Sequence, residues 1–139
     1  MEIKTFNCLS ADALKIRTTV FVNEQGFHDE FDKIDDIATH FVMYDGNKPI
    51  ATCRVFKKLE ENKYILGRMA VISEYRRQNL GTNLLSFAEK YVKDIGGAEL
   101  MLHSQCRASE FYKKAGYCEY GEIENEEGHP HIWMKKILK

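Results

Sequence analysis

The amino-acid sequence predicts one mixed α/β (α+β) domain, from its length and from the order of its strands and helices. The 139 residues, 44% of them hydrophobic, can build one compact core and are too few for two ordinary domains. Three strand-like segments follow one another in the first half, which is typical of an antiparallel meander. Strands and helices alternate in the second half. We therefore expect a single domain that spans residues 1–139.

The first half begins with a predicted strand at residues 3–6, followed by a helix. Ser10 lies at an N-cap position, and the apolar residues after it have helical spacing: Ala13, Leu14, Ile16, Val20 and Phe21. Residues 29–36 are acidic and have neither a clean period nor enough apolar character for the core. We predict a loop there, with room for one short helical turn.

Three strands are predicted next. Strand-like segments at 40–44 and 50–56 flank the turn residues of 45–49, which indicates a hairpin. A second polar turn at 60–63 precedes a third strand at 64–72.

The second half contains the most periodic segment of the chain, an amphipathic helix that ends at Gly96-Gly97. Its apolar face is formed by Leu80, Leu84, Leu85, Ala88, Tyr91, Val92 and Ile95. A strand at 99–103 and a helix at 108–115 follow. The chain closes with two predicted strands, at 117–120 and 131–137, and residues 122–128 separate them.

Charge and composition exclude several classes of partner. The net charge of −1 supplies no field that draws in nucleic acid or an anionic membrane. No apolar run approaches the roughly 18 to 20 residues that span a bilayer. The four cysteines are far apart and form no Cys-x-x-Cys pair, which is typical of reduced thiols. We expect a soluble cytoplasmic protein that binds neither nucleic acid nor membrane.

No metal site is predicted. His129-Pro130-His131 lacks the helical spacing of a zinc site, and no cysteine pair supports one.

A cationic loop joins the third strand to the long helix. The loop at 75–82 opens a helix, where free backbone N–H groups and the helix dipole attract anions. Arg76 and Arg77 add positive charge, so the loop can hold a pyrophosphate. It has neither the Gly-Lys-Ser/Thr of a P-loop nor the three glycines of a dinucleotide fingerprint. Taken alone, it could also be a charged surface turn.

Two motifs resemble those of the GNAT acetyltransferases. Arg76, Asn79 and Gly81 fall at the positions of the acyl-CoA motif Arg/Gln-x-x-Gly-x-Gly/Ala, with asparagine where glycine is usual. Asparagine tolerates unusual backbone angles, so the loop can keep its shape. Residues 104–117 are similar to the family segment Asn-x-x-Ala-x-x-Phe-Tyr-x-x-x-Gly-Phe, with Gln105 and Tyr117 as replacements.

A third block is similar to the ElaA-like branch of the family. It combines Arg17-x-x-Val20-Phe21-Val22-x-Glu24-Gln25 with Glu127-Gly128-His129-Pro130-His131-Ile132-x-Met134, so the resemblance spans nearly the whole chain. It implies a mostly antiparallel sheet of about six to seven strands, splayed into a V and flanked by about four helices. Acetyl-CoA then lies in the cleft, and an amine of a small molecule or peptide is the acceptor.

The resemblance also implies the residues of the site. Those around the acyl-CoA are Met69, Ala70, Val71, Arg76, Arg77, Gln78, Asn79, Leu80, Gly81, Thr82, Gln105, Ala108 and Tyr112. Those expected around the acceptor are Phe21, Gln25, His103 and His131. A backbone N–H near Met69 or Ala70 polarises the thioester carbonyl. Tyr112 matches the tyrosine that protonates the departing thiolate. The alternative is that Tyr112 is an aromatic residue of the core, packed on one face of a helix.

The acceptor amine needs a base, because an ammonium with a pKa near ~10.4 lies about 4.6 kcal/mol from its neutral form at pH 7. We expect Glu24 to be a catalytic residue together with Tyr112, as a candidate for this base. His103 and His131 are further candidates for the base. Binding or structural roles remain open for all three. A covalent route through Cys106 is disfavoured, because no histidine lies at a suggestive spacing and direct transfer suffices.

Three questions about charge, turnover and assembly stay open from the sequence alone. The acidic residues 29–36, with the glutamates of 122–127, form either a rim that attracts a cationic amine or a solvated surface. The protein is either an enzyme or an acyl-CoA-binding sensor without turnover. An exposed final strand could pair two copies into a homodimer.

Overall fold

Seven strands form one mixed sheet in the computed structural model, which describes residues 1–28, 30–58 and 62–138. The strands are β1 (Glu2–Phe6), β2 (Thr39–Asp45), β3 (Lys48–Lys57), β4 (Lys63–Val71), β5 (Glu99–Gln105), β6 (Cys118–Glu126) and β7 (His129–Ile137). Their order is β1-β2-β3-β4-β5-β7-β6, and only β4 and β5 run parallel among the described strands. The predicted mixed, mostly antiparallel sheet is confirmed. Part of the predicted turn at 60–63 lies outside the described residues.

The sheet splits between its two central strands. β4 pairs with β5 only from Lys63–Glu99 to Leu66–Leu102, and beyond these residues the strands separate. The rest of β4, from Gly67 to Val71, keeps its partner β3 on one side only. Its backbone groups on the other side therefore face an open cleft.

A bulge in β4 lies at the mouth of this cleft. Thr52 pairs with Ala70 and Arg54 pairs with Gly67, so two residues of β4 oppose one of β3. Arg68 in the bulge has a φ of 54°, which is uncommon for a residue with a side chain. The bulge turns the Arg68 backbone away from the regular pleat.

Three α-helices are present in the described residues: α1 (Ala11–Arg17), α2 (Leu80–Asp94) and α3 (Ser109–Lys114). The Ser10 hydroxyl accepts the Ala13 N–H at 3.2 Å and caps α1, as its sequence position indicates. The first predicted helix continues as a π-helix over Thr18–Glu24, where Gln25 N–H bonds to Val20 O at 3.1 Å. The predicted apolar face of α2 is largely confirmed, although Ile95 at its end is 48% exposed.

The predicted separation of the last two strands by residues 122–128 is wrong, because β6 runs on to Glu126 and only a tight turn separates it from β7. β6 is an edge strand whose side chains are almost all exposed. Such a strand needs no apolar alternation, and glutamates on it discourage pairing with other chains. Its sequence therefore has the composition of a loop.

The acidic segment is held against the sheet in part, because two of its carboxylates are buried whereas Asp32 and Asp36 are exposed. Glu30 and Asp35 are 4% and 5% exposed. Arg17 of α1 bonds Glu30 at 2.5 Å and Asp35 at 2.7 Å. The expected helical turn is a short 3-10 helix at Lys33–Asp36, and Asp29 lies outside the described residues.

Two further arginines complete this network. Arg54 of β3 donates at 2.7 Å to both Asp32 and Asp35. Arg68 lies 2.9 Å from a Glu30 carboxylate oxygen. We call these six residues the arginine–carboxylate cluster: Arg17, Glu30, Asp32, Asp35, Arg54 and Arg68. Their charges balance one another, so the segment presents little net negative charge.

No described helix is long and apolar enough to cross a membrane. All four cysteines are free thiols, and burial raises the pKa of Cys53.

Candidate active site

Two cavities meet where β4 and β5 separate. The larger, of about 420 Å³, lies at the start of α2, and we call it the helix cavity. The smaller, of about 220 Å³, lies against β5 and β7, and we call it the histidine cavity. Four residues line both: Gln25, Met69, Ala108 and Tyr112. A group bound in one cavity can therefore reach a group bound in the other.

The loop before α2 is shaped to offer backbone N–H groups to the helix cavity. Arg77 and Asn79 have φ values of 64° and 61°, both in the left-handed region. No side chain caps the start of α2, so its first N–H groups lack the usual acceptor. The turn therefore combines free donors with the positive end of the α2 dipole.

Gly81 lets the helix start approach its neighbours closely. A Cβ at this position would lie 3.3 Å from the Phe111 ring and 3.7 Å from Val71. The wall of the helix cavity is therefore backbone at this point. A bare backbone wall is suited to an anion held by N–H groups.

Arg76 already has partners on the protein. Its Nε donates to the Val71 carbonyl at 2.8 Å, and its Nη2 lies 2.7 Å from Glu24 Oε1. Both side chains of this ion pair are more than a third exposed. Glu24, expected among the catalytic residues, thus lies beside the cationic loop and lines neither cavity.

Most residues expected around the acyl-CoA line the helix cavity: Met69, Ala70, Val71, Arg76, Arg77, Asn79, Leu80, Gly81, Thr82, Ala108 and Tyr112. Gln78 is exposed and lines neither cavity, and Gln105 lines the histidine cavity instead. The four residues expected around the acceptor, Phe21, Gln25, His103 and His131, all line the histidine cavity.

Tyr112 lies between the two cavities with its ring fixed by other aromatic residues. The Phe111 and Tyr117 rings pack edge-on at 4.9 and 5.9 Å. Burial raises the pKa of Tyr112 above its usual value, so its hydroxyl stays protonated at neutral pH. The Tyr112 side chain is both a packed aromatic, 8% exposed, and a wall of each cavity.

Hydrogen bonds connect polar residues that line or flank the cavities. The Gln105 amide donates to Gln25 Oε1 at 2.8 Å, and Arg107 Nε donates to Gln105 Oε1 at 2.9 Å. The Gln25 carbonyl lies 3.1 Å from His129 Nε2, which donates to it. These bonds join the end of the π-helix to β5 and β7.

His103 lies between two glutamates of the edge strand. Its Nδ1 is 3.1 Å from Glu126 and its Nε2 is 3.4 Å from Glu124, although Nε2 is enclosed and poorly aligned for a hydrogen bond. Trp133 stacks on the ring at 4.7 Å. His103, for which the sequence leaves a structural role open, therefore contacts two glutamates of β6.

His131 is more deeply buried. Its Nδ1 lies 2.8 Å from the His129 carbonyl, and its Nε2 is 3.9 Å from Glu126. The Phe27 ring meets it edge-on at 6.4 Å.

Several lining residues were not predicted from the sequence. In the histidine cavity these include Arg68, Phe27 and Arg107. Glu30 and Glu126 also line it, and both belong to the acidic residues that the sequence offers as a rim for a cationic amine. The residues missed in the helix cavity are Val20, Tyr75 and Phe111. Phe111 belongs to the family motif, so its position offered a signal, whereas nothing in the neighbouring sequence indicates the role of Arg68.

No group of three or more residues suited to a metal ion occurs in the described parts of the chain.

The sequence and the fold are similar to those of known proteins. A family model described as an acetyltransferase (GNAT) domain matches residues 9–138. The uncharacterized N-acetyltransferase YjcF of Bacillus subtilis is 34% identical over 128 residues, which cover 90% of this chain and 90% of YjcF.

Two solved structures share the fold. Escherichia coli ElaA superposes with a TM-score of 0.86 at 24% identity, and the match covers 97% of this chain and 98% of ElaA. An aminoglycoside 6'-N-acetyltransferase complexed with coenzyme A superposes with a TM-score of 0.78 at 17% identity, over 100% of this chain and 98% of that one.

Proposed function

Because this chain belongs to the GNAT acetyltransferase family and is thus an acyl-CoA-dependent N-acyltransferase, we propose that it acetylates a primary amine of a small molecule or peptide. The acetyl donor is acetyl-CoA, and transfer is direct, with both substrates bound. The observation that carries the proposal is the meeting of the two cavities at Tyr112 and Met69. A donor in the helix cavity and an acceptor in the histidine cavity come together there.

The helix cavity fits the charged and polar parts of the donor. Arg76, Arg77 and the N–H groups of residues 80–82 would hold the pyrophosphate, since they combine positive charge with unbonded donors. The ion pair between Glu24 and Arg76 has to break when the pyrophosphate binds Arg76. The thioester supplies the activated acetyl group.

The exposed edge of β4 serves the pantetheine arm and the carbonyl. Beyond Leu66 this edge has no β5 partner, so its N–H and C=O groups face the cleft. An N–H of Met69 or Ala70 would donate to the thioester oxygen as negative charge develops on it.

Tyr112 acts at the leaving group. Its raised pKa keeps the phenol protonated, so it can donate a hydrogen bond to the thiolate as the C–S bond breaks. A phenol is a weaker acid than a thiol, and the donated bond therefore needs the fixed geometry that the packing of Phe111 and Tyr117 provides.

A panel of amines tests the proposal. Thiol release from acetyl-CoA is followed with amino acids, polyamines, amino sugars and short peptides, and mass spectrometry identifies a product heavier by one acetyl group. We expect turnover with at least one amine class.

A second function, an acyl-CoA sensor without turnover, has one observation in its favour. Arg76 is occupied by Glu24, and a binding protein could use release of this contact as its response. The sensor predicts calorimetric binding of CoA without thiol release on the whole panel.

A further inference from the structure

The His131 ring is held in one tautomer. Its Nδ1 lies 2.8 Å from the His129 carbonyl oxygen, and a carbonyl only accepts hydrogen bonds. Nδ1 therefore carries the hydrogen, and the lone pair of the neutral imidazole is on Nε2. The side chain is 8% exposed, so packing keeps the ring in this orientation.

The Nε2 atom of His131 has no hydrogen bond within the described residues, and His131 lines the histidine cavity. The two neighbouring histidines differ. His103 Nε2 is enclosed, and its Nδ1 faces Glu126, while His129 Nε2 is used by the Gln25 carbonyl. His131 is thus a buried base whose unbonded nitrogen belongs to a residue of the acceptor cavity wall.

Glu126 supplies a negative charge beside that nitrogen. One of its carboxylate oxygens is 3.9 Å from His131 Nε2, and the other is 3.1 Å from His103 Nδ1. Its contacts within the described chain are with histidines, which are charged only when protonated. Glu30 in the same cavity is different, because Arg17 and Arg68 hold its carboxylate. The Glu126 carboxylate is therefore available to bind a cationic group of the substrate.

We propose that Glu126 binds the ammonium group of the acceptor and that His131 Nε2 takes its proton. The proposal rests on the acetyltransferase function given above and narrows the acceptor to a small cationic amine. The histidine cavity, at about 220 Å³, is smaller than the ~300 to 1,000 Å³ that is usual for drug-sized ligands.

The protons and bonds balance. The ammonium loses one proton to His131 Nε2, and the freed lone pair forms the C–N bond to the acetyl carbon. The C–S bond breaks, and the thiolate receives the Tyr112 proton. The acetylated nitrogen then loses a second proton, which reprotonates the Tyr112 phenolate. His131 releases the first proton to solvent. The products are the acetylated amine, CoA thiol and one proton.

Other charged or titratable groups line the same cavity as His131. They are Glu126 of β6, Glu127 of the turn, His103 of β5, Arg68 of β4, Glu30 of the acidic segment, Arg107 before α3, and Tyr112 of α3. The Glu30–Arg68 pair is nearly neutral as a unit, and Glu126 and His103 are the side chains of this set that contact His131, at 3.9 Å and at a ring distance of 5.0 Å.

The test compares pH profiles of kcat/KM for wild type and His131→Asn, with the best amine from the panel. Asparagine keeps an N–H donor where Nδ1 lies and removes the proton acceptor. We expect a loss of about hundredfold at pH 7, within the range of general-base effects. Wild type should reach a plateau once the imidazole is neutral. The variant should instead rise tenfold per pH unit up to the pKa of the amine itself.

His28→Gln is the matched control, because His28 is exposed, lines neither cavity, and bonds Glu127 through its backbone N–H. Glu126→Gln provides a second variant that leaves the buried ring in place, and we expect its KM for the amine to rise about tenfold. Thermal unfolding and calorimetric CoA binding verify folding.

Two results would overturn the proposal. A His131→Asn profile that keeps the wild-type plateau and lies within twofold of wild type excludes His131 as the base. An unchanged KM in Glu126→Gln excludes Glu126 as the cation site. Absence of turnover in wild type itself is a different failure, since it overturns the acetyltransferase function and this step with it.

Discussion

Asn79 has a left-handed backbone, with a φ of 61°, at a position where the family motif has glycine. Asparagine adopts this conformation more readily than other residues with a side chain, and a β-branched residue does so poorly. We expect Asn79→Gly to bind CoA within about threefold of wild type. Asn79→Val should raise the calorimetric Kd at least tenfold, because the loop can no longer present its N–H groups.

Equal CoA affinity in the glycine and valine variants would show that the left-handed turn does not matter for binding. Circular dichroism of both variants controls for unfolding.

Glu24 competes with the pyrophosphate for Arg76 in this account. The pair lies 2.7 Å apart and is partly exposed, so its contribution is about 0.2 to 1 kcal/mol. We expect Glu24→Gln to lower the Kd for CoA about threefold in calorimetry at low salt, with a smaller effect at high salt. A hundredfold fall in kcat with an unchanged Kd would instead identify Glu24 as the base.

Single residues show where sequence reasoning works. Asn79 and Gly81 were predicted because both belong to one short motif, in which Asn79 needs a left-handed backbone and Gly81 a close approach to Phe111. Arg68 was missed, because its role depends on a bulge in β4 and on Glu30, which is 38 residues away in the chain. Nothing in the neighbouring sequence encodes that contact.

The acidic segment contributes to stability through its pairs with arginines. Burial raises the pKa of Asp35, but hydrogen bonds from Arg17 and Arg54 outweigh it and hold that pKa at about 2. A carboxyl with a pKa below its unfolded value of about 3.8 stabilises the fold above that pH, and loses this contribution as pH falls toward 2. The shift corresponds to about 2 kcal/mol.

We therefore predict that Asp35→Asn lowers the free energy of unfolding at pH 6 by about 3 kcal/mol, because two buried arginines lose a charged partner. The difference from wild type should shrink by about 2 kcal/mol as pH falls from 4 to 2. Urea unfolding at several pH values measures it. A difference that stays constant over this range contradicts the role given to Asp35.

Elements differ in how well their sequences predict them. The α2 helix was predicted, because burial of one face imposes a regular apolar period. β6 was predicted only in part, because an exposed edge strand carries no such period. The acidic segment was predicted as a loop with a short helical turn, which the structure has. The burial of Glu30 and Asp35 was not predicted, since it depends on Arg17, Arg54 and Arg68, which come from three separate elements.

The split sheet places the two cavities side by side, which has a kinetic consequence for the whole molecule. Because Tyr112 and Met69 line both, donor and acceptor can be bound together. Initial-rate measurements should give intersecting double-reciprocal lines. Parallel lines would indicate an acyl-enzyme, for which Cys106 is a partly buried thiol that lines neither cavity.

The most direct test of the account is a single-turnover comparison of wild type with Tyr112→Phe, in which thiol release from acetyl-CoA and calorimetric CoA binding are both measured. The meeting of the cavities at the Tyr112 side chain predicts that the variant binds CoA as wild type does and releases thiol about a hundredfold more slowly. Thiol release at the wild-type rate would contradict the role of Tyr112, and CoA binding without thiol release in wild type would identify a sensor.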